Sequence, residues 1–212
     1  MPSALPLAEQ NIAILLQGAE LLERIDEQTY RAGLPSSRGG IGSQLRHCMD
    51  FYDCFLRGLE EGRIDYDRRE RDELVEIDVD FARERLDQIA GRLRQLADVS
   101  QETPLEINAD AVLPTPDRPD RVDAQADAQA GGRTNDQAHE RLDGRPIGPP
   151  VDRRTWSRSS VGRELRFLLS HTVHHFAIIG LMLRMLGGEP PAAFGVAPST
   201  LDYWKETDRP NH

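Results

Sequence analysis

The sequence has few cysteines and lacks both a long apolar run and a recognisable leader. Cys48 and Cys54 lie six residues apart in one apolar segment, a pattern that does not make a disulfide framework. No run of 18 apolar residues is present, so no transmembrane helix is predicted. The N-terminus has neither a basic region nor a small-residue cleavage site, as a secretory signal would. We therefore expect a soluble protein of a reducing compartment, the cytoplasm, with no membrane partner.

The chain also lacks an excess of positive charge. Its 212 residues carry a formal net charge of −10. A protein that binds duplex nucleic acid needs a basic surface to displace counterions, so no nucleic-acid partner is expected. Hydrophobic residues make up 38% of the chain, which is enough to form a core and argues against general disorder. The length fits one domain over residues 1–212.

Four segments carry apolar residues at steps of three and four, the spacing of an amphipathic helix. The predicted helices span about residues 7–31, 41–62, 67–99 and 161–187. The predicted fold class is all-α, a four-helix bundle. Short connections favour antiparallel packing of the first three helices, whereas the long third connection allows a crossover. The short segment 105–107 could be a strand or an extended pass along the bundle.

The third connection has a different composition from the helices. Residues 114–150 contain six prolines and four glycines among 37 residues, and no aromatic residue. Such a low-complexity segment buries too little apolar surface to offset the entropy lost on ordering. We predict a flexible insert at about 114–150.

Histidines on two of the predicted helices are candidates for metal ligands. At 100° per residue, His171 and His175 stack one turn apart at the edge of the buried face of the fourth helix, and His174 points away from it. His47 lies on a similar flank of the second helix. Two such flanks in contact would bring three imidazoles together. Spacing alone also allows the other interpretation, in which the histidines are structural.

Three neutral imidazoles suit one divalent ion, such as Zn²⁺, Ni²⁺, Co²⁺ or Fe²⁺, and leave a coordination position for water or substrate. Carboxylates that hydrogen-bond the rings would orient them, and Asp50 and Glu164 are the candidates. The pair of His171 and His175 lacks the glutamate of the HExxH motif, so protease chemistry of that type is not supported. The ExxH motif of di-iron bundles is also absent.

The sequence resembles the DinB/YfiT-like superfamily in three features. These are the lone histidine in LRHCMDFYDCFL, the HxxxH pair in LLSHTVHHFAIIGLML, and the layout of four helices. The resemblance covers everything except the insert and the C-terminal tail. By residue it implies that His47, His171 and His175 hold a metal, whereas His174 has no place in the triad.

The resemblance also implies a fold and a range of activities. It implies an up-down-down-up bundle and a divalent metal, zinc, nickel or iron. Characterised relatives include transferases and isomerases that use a low-molecular-weight thiol, and a metal-dependent hydrolase. A small-molecule substrate or thiol is thus the implied partner, and the thiol the implied cosubstrate.

Two arginines are candidates for binding an anionic substrate. Arg69 lies in the charged segment before the third helix, and Arg46 is next to His47. Arginine binds carboxylate or phosphate through two parallel hydrogen bonds. Ordinary surface ion pairs are the alternative role for both, and the one the pattern favours.

The preferred functional hypothesis is a metal-dependent thiol transferase or hydrolase acting on a small molecule. The alternative is a non-enzymatic helical module for interaction or homodimerisation, in which the histidines are structural. The sequence assigns no catalytic residue.

Overall fold

The computed structural model describes residues 2–34, 39–108 and 156–207. The described chain is mostly helical. The predicted insert at 114–150 lies outside the described residues. Within them the helices, in chain order, are α1 (Leu5–Leu22), α2 (Glu27–Arg31), α3 (Ile41–Glu61), α4 (Glu73–Ile77), α5 (Val79–Arg94), α6 (Val161–Met185) and α7 (Pro198–Thr207).

A small sheet accompanies the helices, so the all-α prediction is wrong on this point. Its strands are β1 (Arg63–Asp65), β2 (Pro104–Asn108) and β3 (Ser157–Ser160). Strand β2 is central, parallel to β1 and antiparallel to β3. The extended segment foreseen at 105–107 is thus a strand. The other two are short and largely polar, without the alternation of apolar residues that would have marked them.

The two predicted helices that the sequence bounds most clearly are confirmed. Helix α3 ends at Glu61 and is capped by Gly62, whose φ of 70° favours a residue without a Cβ. Helix α6 begins after Ser160, whose hydroxyl accepts a hydrogen bond from the backbone N–H of Arg163. Both cysteines, Cys48 and Cys54, are free and buried, as the absence of a disulfide framework implies.

The other two predicted helices are each divided by a capping aspartate. The segment 7–31 becomes α1 and α2, because the Asp26 carboxylate caps a new helix by accepting from the Thr29 backbone N–H at 2.7 Å. The segment 67–99 is helical only from Glu73, so its predicted start is wrong by six residues. It becomes α4 and α5, followed by a 3₁₀ turn at Gln95–Asp98, and Asp78 caps α5 in the same way. Short polar side chains at these positions compete with helix continuation.

Four helices form the main core. Helix α1 packs on α5 and α6, and α3 packs on the same two helices. Tyr52 of α3 reaches the centre, where its hydroxyl donates to Asn11 Oδ1 at 2.7 Å. The Asn11 amide donates in turn to the Leu165 carbonyl at 3.0 Å. This buried network ties α1, α3 and α6 together at one level of the core.

The helix directions follow from contacts along their lengths. Helix α1 runs parallel to α6, since Asn11 meets Leu165 and Gly18 lies beside Phe176 further along both helices. Helix α3 runs antiparallel to α6, since Gln44 meets His175 whereas Phe51 meets Phe167.

Helix α5 runs antiparallel to α1. Ser3, just before α1, meets Ala97, just after α5, whereas Gly18 approaches Leu86. Helices α3 and α5 therefore point the same way. The expectation of three antiparallel neighbours is wrong, because residues 62–78 carry the chain back along α3 before α5 begins.

Helix α6 is long and apolar enough to cross a membrane by length and composition alone. Its buried residues include Leu165, Leu168 and Phe176, which face the core. The core helix of a soluble protein has the same properties, so this observation is weak evidence for a membrane span.

Candidate metal centre

The structure brings His47, His171 and His175 together where α3 packs on α6. The ring centroids are 5.0 Å apart for His47 and His171, 4.6 Å for His47 and His175, and 4.5 Å for His171 and His175. One ring nitrogen of each lies within 4.8 Å of the other two. Nitrogens that bind one zinc ion at about 2.0–2.1 Å lie closer to one another than 4.8 Å. Small side-chain rotations would bring the three nitrogens to that separation.

The helical geometry accounts for this meeting. His171 and His175 are one turn apart on α6, so their side chains stack along one edge of the helix. The buried Thr172 and Phe176 mark the core face beside them, and His174 is exposed. His174 is thus on the solvent side of α6, where the sequence placed it.

The three rings are held neutral by their surroundings. Burial, followed by the proximity of His175, lowers the pKa of His47 to about 4. Burial, followed by His175 and His47, lowers the pKa of His171 to about 3. The pKa of His175 is also lowered, mainly by burial and then by His174. At neutral pH each imidazole therefore offers a lone pair, which is the form that binds a metal.

Hydrogen bonding leaves one ring nitrogen of His175 and one of His171 available to an ion. Gln44 Oε1 lies 2.7 Å from His175 Nδ1 and can accept its proton, which leaves Nε2 of that ring with a lone pair. His171 Nε2 is buried and has no hydrogen-bond partner among the described residues. Buried polar atoms are rarely left without a partner, so this nitrogen fits a ligand atom for a bound ion.

The two carboxylates predicted to orient the rings are bonded to other groups. Asp50 is 5% exposed and pairs with Arg46 at 3.2 Å. Burial raises the pKa of Asp50 to about 6, against the opposing effect of Arg46. Glu164 is 1% exposed and accepts a hydrogen bond from the Tyr66 hydroxyl at 2.9 Å. Neither carboxylate has a hydrogen bond to a ligand histidine in the described chain.

Gln44 takes the role expected of those carboxylates, and the sequence analysis missed it. It lies three residues before His47 on α3, so it shares the flank that faces α6. A polar residue one turn from a candidate ligand was the available signal. Its contact with His175 depends on how far α3 is rotated against α6, which no sequence pattern reports.

The two candidate arginines have different surroundings. Arg46 is occupied by ion pairs, to Glu76 at 2.8 Å and to Asp50. Arg69 has its guanidinium carbon 4.4 Å from the centre of the Phe51 ring. Its positive charge is among the causes of the lowered pKa of both His47 and His171. The charge of Arg46 also lowers the pKa of His47, but its guanidinium is held by two carboxylates, whereas Arg69 has no acceptor among the described residues.

Two aromatic rings border the histidines and a third packs on both of them, and all three were missed. The centroid of the Phe51 ring lies 4.3 Å from that of His171 and 5.2 Å from that of Tyr66, on which Phe51 stacks. Phe167, which is 38% exposed, lies 5.6 Å from His171. Phe51 and Phe167 each lie four residues from a ligand histidine on their helices, which is the signal that could have identified them. We refer to Phe51, Tyr66 and Phe167 as the aromatic wall.

Comparisons with known proteins give one partial likeness. No known family matches the chain, and no solved structure matches it significantly. The chain is 29% identical over 143 residues to FK506-binding protein 5 of the fungus Rhizopus delemar. The match covers 68% of this chain but spans only 28% of that protein. This likeness does not assign the chain to a family.

Proposed function

We propose that the protein binds one divalent metal ion through His47, His171 and His175. The observation that carries the proposal is the buried His171 Nε2, which has no partner in the described chain and belongs to a ring that lies beside two other neutral imidazoles. A structural histidine in a packed core has both ring nitrogens satisfied. An ion at the centre of the cluster would satisfy all three rings at once.

The donor set supports a catalytic rather than a purely structural site. Three protein ligands leave a coordination position open, whereas structural zinc sites have four. A divalent ion bound there would lower the pKa of a coordinated water or thiol. Imidazole nitrogen suits zinc, nickel or iron. His175 is held by Gln44, so the chain fixes at least one ring before any ion arrives.

We further propose that the four longer helices form a DinB-like bundle. The directions of α1, α3, α5 and α6 support the order up, down, down, up. The three histidines also occupy the helices that the resemblance implies. The sheet formed by β1, β2 and β3 is an addition to a minimal bundle.

On this basis the protein is a metal-dependent thiol transferase or hydrolase acting on a small molecule. The exposed Phe167 ring beside His171, together with Arg69 on Phe51, provides a surface for an organic substrate. The net charge of −10 favours a small-molecule partner over a nucleic acid. The same charge and the free cysteines fit a cytoplasmic protein.

Substitution with cobalt(II) tests whether the open position accepts a ligand. We expect the cobalt form to change its visible spectrum when a small thiol such as 2-mercaptoethanol is added. His47→Ala should abolish both cobalt binding and the response, whereas His174→Ala should retain them, because His174 is exposed. Failure of wild type to bind cobalt would contradict the proposal. A bound cobalt ion that responds to no thiol and supports no hydrolysis would indicate structural histidines.

A further inference from the structure

Arg69 places a cation beside the three histidines. Its guanidinium carbon lies 4.4 Å above the Phe51 ring, and that ring is 4.3 Å from His171 and 5.0 Å from His47. The Phe51 ring therefore contacts both the guanidinium and two of the three imidazoles. Through its charge, Arg69 also opposes protonation of His47 and His171.

The guanidinium of Arg69 has no acceptor among the described residues. Its contact is the cation–π interaction with Phe51. Arg46 and Arg57, on the neighbouring helix α3, are by contrast paired with the carboxylates of Glu76 and Glu70. Arg69 is partly buried, so its N–H groups have lost some water without gaining an acceptor from residues 2–34, 39–108 or 156–207. An unpaired cation at the edge of a site is available to an anion.

The aromatic wall provides an apolar surface next to this cation. Phe51 and Tyr66 stack at 5.2 Å, and Phe167 lies 5.5 Å from Tyr66. The Tyr66 hydroxyl donates to the buried Glu164, so the polar end of that ring is already satisfied. Phe51 and Tyr66 are 8% and 4% exposed, so the part of the wall that solvent reaches is Phe167, which is 38% exposed.

We propose that Arg69 and Phe167, the exposed ring of the aromatic wall, bind a small organic acid with a flat apolar body, its carboxylate on Arg69 and its body against Phe167. The inference deepens the proposed function and rests on it, because the acid would lie beside the metal centre. The planar guanidinium fork matches a carboxylate through two parallel hydrogen bonds. A single cation in an acidic protein fits one negative charge better than the two of a phosphate monoester.

Benzoate and benzyl alcohol separate the contributions of charge and apolar surface. Calorimetric titrations of the protein as purified should show that benzoate binds more tightly than benzyl alcohol. We expect Arg69→Met to weaken benzoate by about tenfold or more, the usual scale for a lost charge-assisted hydrogen bond, and to leave benzyl alcohol unchanged. Arg68→Met is the matched control, since Arg68 is exposed on the same segment.

The metal content of each sample is measured alongside. Equal metal content in all three proteins, with benzoate weakened only by Arg69→Met, supports the inference. Arg69-dependent binding in samples that hold no metal, even after reconstitution, would contradict the proposed function but leave the acid site standing. Unchanged benzoate affinity in Arg69→Met would overturn the inference, as would tighter binding of phenyl phosphate than of benzoate. If Arg69→Met fails to fold by circular dichroism, Arg69→Gln provides the same comparison.

Discussion

Gln44 is the residue whose role in the site is easiest to isolate. Its Oε1 lies 2.7 Å from His175 Nδ1, and a partner of this kind fixes the orientation of a metal-binding ring. We predict that Gln44→Met lowers zinc affinity by about 10- to 100-fold. Methionine is of similar length and is a good helix former, so α3 should be undisturbed.

Competition with a chromophoric chelator measures the affinity of the Gln44 variant. Gln44→Glu is the control, because a carboxylate keeps an acceptor at this position and should retain most of the affinity. Equal zinc affinity in wild type and Gln44→Met would show that the hydrogen bond does not orient His175.

The lowered pKa values predict how metal binding depends on pH. His47 and His171, with pKa values of about 4 and 3, carry no proton to displace above about pH 5. Free histidine has a pKa near 6.5, so an exposed site loses metal as pH falls through that value. We predict that zinc affinity falls less between about pH 7 and pH 5.5 than it would at a site of three exposed histidines.

Calorimetry in two buffers of different ionisation enthalpy counts the protons released. We expect far less than one proton per ion from His47 and His171 together at about pH 6. Release of two or three protons would mean that the rings are protonated before the metal binds, against the effect of burial.

At the level of elements, helix packing depends on how closely α1 approaches α6. A Cβ on Gly18 would lie 2.8 Å from Phe176 Cζ, and the Phe176 ring is itself stacked on Phe194 at 4.9 Å. Gly18→Ala should therefore cost about 1–3 kcal/mol in the free energy of unfolding through overpacking. A Cβ on Gly91 of α5 would meet no atom within 4 Å. Gly91→Ala should therefore raise the free energy of unfolding by about 0.5–1 kcal/mol through helix propensity.

Urea denaturation of both variants measures these free energies. Each variant is the control for the other, because the same chemical change is made in two helices and the two expected effects have opposite signs. A stabilising Gly18→Ala would show that α1 and α6 are further apart than described.

The elements differ in how well the sequence predicts them. Helices α3 and α6 carry unbroken apolar stripes between clear boundaries, so their limits follow from local chemistry. The division of α4 from α5 turns on the cap formed by Asp78, and that of α1 from α2 on Asp26. An aspartate within an amphipathic pattern is equally compatible with a solvated helical face.

The candidate site shows the same contrast. The flank positions of His47, His171 and His175 follow from 100° per residue along each helix. The roles of Gln44 and Arg69 depend on the rotation of α3 against α6 and on the path of residues 62–72, both of which are set by tertiary packing.

At the scale of the whole molecule, the long connection leaves and re-enters the described fold at one place. Strands β2 and β3 are antiparallel neighbours, with Ile107 opposite Ser157. The ends of the segment between them therefore lie close together, and a tight hairpin turn could join them. We predict that replacing residues 109–155 by Asn-Gly retains the helical content and the metal content.

Stability should stay equal or rise in this shortened protein, because closing a shorter loop costs less entropy. Circular dichroism, urea denaturation and elemental analysis check the prediction. Loss of metal would contradict the prediction and would show that the removed residues complete the site.

Elemental analysis of the purified, untagged protein with two histidine variants tests the metal centre most directly. His171 and His174 are neighbours on α6, but only His171 belongs to the cluster. We predict about one divalent ion per chain in wild type and in His174→Ala, and none in His171→Ala. Absence of metal from reconstituted wild type, or equal metal in both variants, would contradict a centre built from His47, His171 and His175.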